Sequence, residues 1–448
     1  MTRTACTMHH ARESQAAAGM NTARFARSCS RVLTWGPAID GRLVVIAAVV
    51  VYLTLIATGR LVWKVDLWPS LGVPSGPSLF FDARNLTAAW ESSRLGYDPL
   101  YENPRDPTGR PLMYLRPWLL FGALGLDQSH TIIVGIVLVS AMFMSLMALA
   151  GRVPVGTGVV LAFAACSPAV MLAVERANMD IALFSLISIA LLLWRTVPVA
   201  AAMLSPMFIT VAATAKLYPI FGLPAFVVAR NRTAARAALV CGGVFAVYCI
   251  YSFKDIVHVA HIATQGELFS YGARILPAHL YHQVGADRWA GPPALKQLLA
   301  ALPLGFLALA IVVRVRRRIG PSVSEPLPMT ATLLGLHVGA LIYLGTFVTA
   351  NNFDYRLVFL LLTLPQLFGW AAMPDHRLSS LAATALLSIV TLLWVGSLSE
   401  RLHLWDELAS WIVAGELTAL LAVTLLPVGS IRQTIMVDLP SVGSPSTS

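Results

Sequence analysis

The spacing of the apolar runs constrains this chain most: about 15 to 22 residues each, separated by short polar or basic breaks. At 1.5 Å of rise per residue, a helix of that length crosses a hydrocarbon core of roughly 30 Å. Inside a bilayer the backbone must satisfy its own hydrogen bonds, so such runs fold as helices and the chain reads as an all-α polytopic membrane protein. Charge usage excludes a water-soluble domain: 12% of the 448 residues are charged, where soluble proteins carry about 25%. The runs predict twelve spans, near 43–62, 131–150, 153–174, 180–195, 197–214, 217–230, 234–252, 293–313, 328–349, 357–373, 378–397 and 408–428.

Short-loop Lys and Arg residues set orientation in the membrane. Arg3, Arg12, Arg24, Arg27, Arg31 and Arg42 precede the first span; Arg152, Arg195, Arg230, Arg232, Arg236, the Arg314–Arg318 run, Arg377 and Arg432 follow at alternate connections. Both termini are therefore expected in the cytoplasm and the protein in the plasma membrane. The same arginines account for the net charge of +10 without invoking nucleic acid. Residues 1–42 read as a basic cytoplasmic tail rather than a cleavable signal, with Met20 a second candidate start, 43–428 as the membrane domain, and 429–448 as a cytoplasmic tail with a disordered end. Two long connections, 63–130 and 253–292, fall on the opposite, outer face, where their aromatics and amphipathic runs suit short helices on the leaflet surface. Broken runs such as 197–230 are tolerated where helix ends line a protein-enclosed cavity. We expect one in the outer half of the membrane, lined by Glu175, Arg176, Asn178, Asp180 and Lys216.

Four polar groups punctuate this outer face. Asp82 opens the helical stretch Phe80-Phe-Asp82-Ala-Arg84-Asn-Leu-Thr-Ala-Ala-Trp90, just after the first span. It suits a general base at the membrane surface, or equally a helix cap or an ion pair with Arg84. In Glu175-Arg-Ala-Asn178-Met-Asp180 the charges form either a site or a local pair with Arg176. Lys216 in Lys216-Leu-Tyr-Pro219 holds a phosphate as a point charge or snorkels to the interface. In Asn351-Asn-Phe-Asp354-Tyr-Arg356, Asp354 is a ligand group or a helix-start charge, and Arg356 can close on an anion. The histidines His258, His261, His279 and His282 lack a zinc-type ligand pattern, and neither a metal nor another cofactor is expected. The five cysteines show no disulfide or metal spacing.

The order of these pieces, with Gly96-Tyr-Asp-Pro-Leu-Tyr101 and Tyr114-Leu-Arg-Pro117 between them, resembles the integral-membrane glycosyltransferases that use polyprenyl-phosphate sugars. The nearest branch is actinobacterial, family 87, with mannosyltransferases and an α-1,3-arabinofuranosyltransferase. The resemblance covers roughly residues 43–370. It implies a GT-C-like fold, an inverting transfer, and a first-outer-loop aspartate, here Asp82, as base. Lys216, Arg356, Arg84 and Arg116 would then hold the donor phosphate, and Glu175, Asn178, Tyr101 and Asp354 the substrates. The expected partners are a polyprenyl-phosphate sugar donor, a glycolipid or envelope-polysaccharide acceptor, and membrane lipids, with a mannose-type hexose the first choice of sugar. The alternatives are arabinofuranosyl transfer and a non-enzymatic lipid or solute transporter. A transporter predicts inverted repeats and midplane charges, whereas here no repeat is evident and the charged groups gather on one face.

Overall fold

In the computed structural model, which describes residues 24–263, 269–276, 327–396 and 403–425, seven helices are long and apolar enough to cross a membrane. They are Arg42–Trp63, Gln128–Ala150, Met179–Thr196, Pro198–Ala215, Arg232–Tyr251, Ala331–Thr349 and Trp405–Leu425. Among the described residues, the bent pair Val155–Ala165 and Pro168–Arg176, at 57°, makes an eighth crossing if it is one span. The chain is thus an all-α polytopic membrane protein, but not every apolar run becomes a continuous span. The run at 217–230 is a 3-10 turn, Tyr218–Gly222, followed by the single helical turn Pro224–Val227. The run at 357–373 is a 3-10 stretch, Asp354–Leu362, leading into Leu364–Ala371. Pro219, Pro224 and Pro365 stand at or near these starts, and a proline lacks the N–H that a continuing helix needs. Ser379–Val395 is apolar but only 17 residues long, and the run at 293–313 lies outside the described residues.

Met179–Thr196 and Ala331–Thr349 sit in the core, while Arg232–Tyr251 lies at the periphery and exposes Leu239, Val240, Val244, Val247 and Ile250. Apolar side chains left open on a long helix suit contact with lipid. The connection 63–130 is ordered. Its central helix, Phe81–Arg94, is tied to the first turn of Thr131–Ala150 by the Thr87–Thr131 hydroxyl pair at 2.7 Å. Trp90 Nε1 donates to the Trp118 carbonyl at 2.7 Å, and Trp118 Nε1 to the Ala215 carbonyl at 3.0 Å. The loop therefore closes over the ends of Thr131–Ala150 and Pro198–Ala215.

Phe80 fixes where the loop helix begins. Its backbone is left-handed, φ +56°, a strained state for a residue with a side chain, and its N–H donates to the Glu175 carbonyl at 3.1 Å. Its ring fills the space where Gly135 has no side chain; a Cβ there would stand 2.1 Å from the ring. Gly135→Ala should therefore displace Phe80 and lower stability by at least about 1 kcal/mol, as a shift in thermal unfolding.

Candidate active site

Asn178 is the hinge of the site. The chain turns between Pro168–Arg176 and Met179–Thr196 through Ala177, buried and left-handed at φ +43°, which brings Asn178 to the N-cap of the second helix. Its Oδ1 accepts the Asp180 N–H at 3.0 Å, and its Nδ2 donates to Asp82 Oδ2 at 2.6 Å. One amide thus caps a helix and holds the loop carboxylate, although the two residues are 96 apart in sequence. Asp82 lies in the first turn of its own helix, where the helix dipole favours an anion. Arg110 faces its other oxygen at 3.7 Å, and 11% of the Asp82 side chain remains accessible.

Beyond Asn178 stand the cations. Lys216 follows the last turn of Pro198–Ala215, with Nζ bonded to Asp180 Oδ1 and 3.4 Å from Asn178 Oδ1. Arg356 Nε lies 3.7 Å from the other oxygen of the fully buried Asp180, and its Nη1 donates to Asn352 Oδ1. Asn352 is held by a short antiparallel pairing of Ser270–Tyr271 with Asn352–Phe353 and by its own Nδ2 donating to the Thr346 and Ala350 carbonyls, both at 2.7 Å. The rings of Tyr114, Tyr218 and Tyr355 surround the Lys216 ammonium at 5.4, 5.7 and 5.5 Å, and Arg356 lies 5.0 Å over Tyr218. Burial pushes the Lys216 ammonium below the ordinary lysine range, and the Asp180 carboxylate opposes that shift. Two cations thus share the buried Asp180 carboxylate, with Asp82 beyond Asn178.

Lys216 and Arg356 line a cavity of about 440 Å³. The rest of its wall is largely apolar: Ile220 and Phe221, then Phe245 and Cys249 of the lipid-facing helix, then Ile256, Val259 and Ala260 of the short helix Phe253–Ile262. Two cations in the wall of a largely apolar chamber suit an amphiphile with an anionic head.

Asp82, Asn178, Asp180, Lys216 and Arg356 stand in this cluster; the residues that follow were singled out in the sequence and stand elsewhere. Arg116 is exposed and bonded to Asp98 at 2.8 Å and Asp255 at 2.6 Å. Two carboxylates already occupy it, so Arg116→Gln should leave donor use within about twofold and cost at most about 1 kcal/mol of stability. Tyr101 is exposed and lies against the His258 ring at 4.3 Å. Glu175 is buried and accepts the Gly76 N–H at 2.9 Å through Oε1, which anchors the loop ahead of Asp82. Asp354 is buried around Gly396 beside Asp406, away from its neighbour Arg356. Arg84 is partly buried on the loop helix, with no hydrogen-bond partner at Nε. Asp82 does not pair with Arg84: its cation is Arg110, which the sequence reading missed. Arg110 is placed by the fold of its loop, through Asn85 Nδ2 donating to Asp106 Oδ2 at 2.8 Å and Arg110 Nη2 donating to the Phe81 carbonyl at 2.9 Å. Its guanidinium stacks 3.4 Å over the Phe81 ring. The available signal was a lone arginine framed by Gly109 and Pro111. Among the described residues, no group of three or more His, Cys, Asp or Glu side chains is placed to hold a metal; His279 and His282 lie outside them.

The sequence pattern of glycosyltransferase family 87 matches residues 107–344, more than half of the chain, from just before Arg110 to the wall helix before Arg356. No curated protein and no solved structure matches significantly.

Proposed function

The chain belongs to glycosyltransferase family 87, a GT-C-type membrane glycosyltransferase, and we propose that it moves a mannose-type hexose from a polyprenyl-phosphate donor to a lipid-linked or envelope-glycan acceptor. The observation that carries this reading is the continuity of Asp82, Asn178, Lys216 and Arg356 with one largely apolar cavity. A nucleotide-sugar donor needs a polar, water-facing pocket for its base. A polyprenyl phosphate needs cations for one charged group and an apolar wall for a chain, the combination found here.

In this reaction Asp82 takes the proton of the acceptor hydroxyl as its oxygen attacks the anomeric carbon. The bond from that carbon to the phosphate oxygen breaks, and its electron pair leaves with the polyprenyl phosphate. Lys216 and Arg356 stabilise the charge that develops on the phosphate, so no cofactor is required. Asn178 ties base to cations and fixes their separation. A single displacement inverts the anomeric centre. The basic connections at the other ends of the helices support a site on the outer face of the plasma membrane and termini in the cytoplasm.

The test is transfer by the purified protein in nanodiscs, offered polyprenyl-phosphate mannose, polyprenyl-phosphate arabinofuranose or nucleotide sugars, with envelope glycolipids as acceptors. Mannose transfer from the lipid donor with inversion is expected. Transfer from a nucleotide sugar alone would defeat the proposal. Arabinofuranosyl transfer would keep the lipid donor and replace the sugar.

A further inference from the structure

Met179–Thr196 begins at Asn178 and Asp180 in the site and ends at Arg195, and Ala331–Thr349 runs the other way, ending in the wall of the site cavity. At 1.5 Å per residue each is about 27 Å long, so the groups at their far ends lie near the opposite membrane surface. A second cavity, of about 300 Å³, opens there. Its polar lining comprises Arg152, Arg195, Thr330 and Thr332, and no carboxylate is among the described residues around it. Leu192 and Leu362 continue the wall as apolar surface.

The cavity has the features of an anion site. Neither guanidinium has an ion-pair or side-chain hydrogen-bond partner among the described residues. Arg195 lies across Gly151, which turns in the left-handed region at φ +64°; a Cβ there would stand 3.3 Å from Nη1. The Ala331–Thr349 helix points its N-terminus into the same space. Thr330 Oγ1 accepts the Leu333 N–H at 3.1 Å and the Thr330 carbonyl accepts the Leu334 N–H at 2.9 Å, so the N–H groups of Ala331 and Thr332 have no partner within the helix. The Thr332 hydroxyl donates to Gln366 Oε1 at 2.7 Å and lies 3.0 Å from the Thr330 hydroxyl, so the donors left to a ligand are the two guanidinium forks and the two N–H groups. These suit a phosphate, and the apolar wall beside them suits an acyl chain.

We propose that this cavity binds the phosphate headgroup of an anionic phospholipid, in the leaflet opposite the transfer site and independently of the sugar donor. The test uses purified protein exposed to an equal mixture of phosphatidylglycerol and phosphatidylcholine, with retained lipid counted by native mass spectrometry. The R152Q/R195Q variant is compared with R232Q/R236Q. Arg232 and Arg236 are exposed at the start of the helix whose far end, Phe245 and Cys249, lines the site cavity, so they carry the same charge on the same side but outside the pocket. The wild type should retain phosphatidylglycerol preferentially, R152Q/R195Q about tenfold less, and R232Q/R236Q within twofold of wild type. Unchanged retention in R152Q/R195Q, or an equal loss in both variants, would overturn the site. Millimolar inorganic phosphate alone should neither displace the lipid nor raise the unfolding temperature as the lipid does; if it does both, the ligand is free phosphate and the lipid assignment fails. All four arginines are exposed, and size-exclusion profiles should confirm that both variants fold.

Discussion

Asp82→Asn should lose about 10² to 10⁴ in the rate of sugar transfer, the range that a positioned general base contributes. Asparagine is nearly isosteric and can still accept the Asn178 amide hydrogen bond, so the loop helix and its contacts should persist. What disappears is the capacity to take a proton at a side chain of which 11% is open to an approaching acceptor. The loss should appear in kcat, with donor binding little changed, because Lys216 and Arg356 remain. Two neighbouring carboxylates act as controls. Asp98 is bonded to the exposed Arg116 and accepts the Leu100 N–H, and Glu91 pairs with Arg105 at 3.3 Å. Their amide variants should retain most activity. A fully active Asp82→Asn enzyme would remove the base.

Lys216→Gln should weaken donor use by roughly 1–3 kcal/mol, the scale of a hydrogen bond to a charged group, read as a loss in kcat/KM for the donor. Gln can still donate to Asp180, so the variant separates lost charge from lost structure. In the proposed reaction the charged form of Lys216 meets the phosphate, and burial makes that form disappear at a lower pH than for a free lysine. Donor affinity in the wild type should therefore fall earlier on the alkaline side than expected for a free lysine. In Lys216→Gln that limb should flatten. A variant that binds donor normally would exclude Lys216 from phosphate recognition.

The parts of this site that were readable in the sequence are those set by short-range geometry. Asp82 at the start of a helix, Asn178 and Asp180 around another helix start, and Lys216 at a helix break are all visible from residue type, spacing and the end of an apolar run. Tertiary pairing was not. Arg110 and Arg116 are both arginines in the same loop; Arg110, held by Asp106 at 3.4 Å and by the Phe81 carbonyl, faces Asp82, while Arg116 meets Asp98 and Asp255. Asp354 and Arg356, two residues apart in a 3-10 stretch, reach different surroundings. Glu175 reads as a polar site group, but its side chain takes a backbone N–H of the neighbouring loop. The same division holds for the membrane helices. Hydropathy finds the long ones, while the proline-punctuated runs at 217–230 and 357–373 break into short turns whose paths depend on what packs around them.

What occupies the apolar cavity decides whether the donor is a lipid phosphate. Photo-crosslinking with a polyprenyl phosphate carrying a photoreactive group in its first isoprene units should label the segment from Phe245 to Ala260, which forms the lipid-side wall. Unlabelled polyprenyl phosphate should compete and a nucleotide sugar should not. The Lys216→Gln/Arg356→Gln double variant should lose about tenfold or more of the labelling, as the proposed role of both cations in holding the phosphate requires. Labelling spread over the lipid-exposed helices and unchanged in the double variant would contradict a lipid-phosphate donor bound between Lys216 and Arg356.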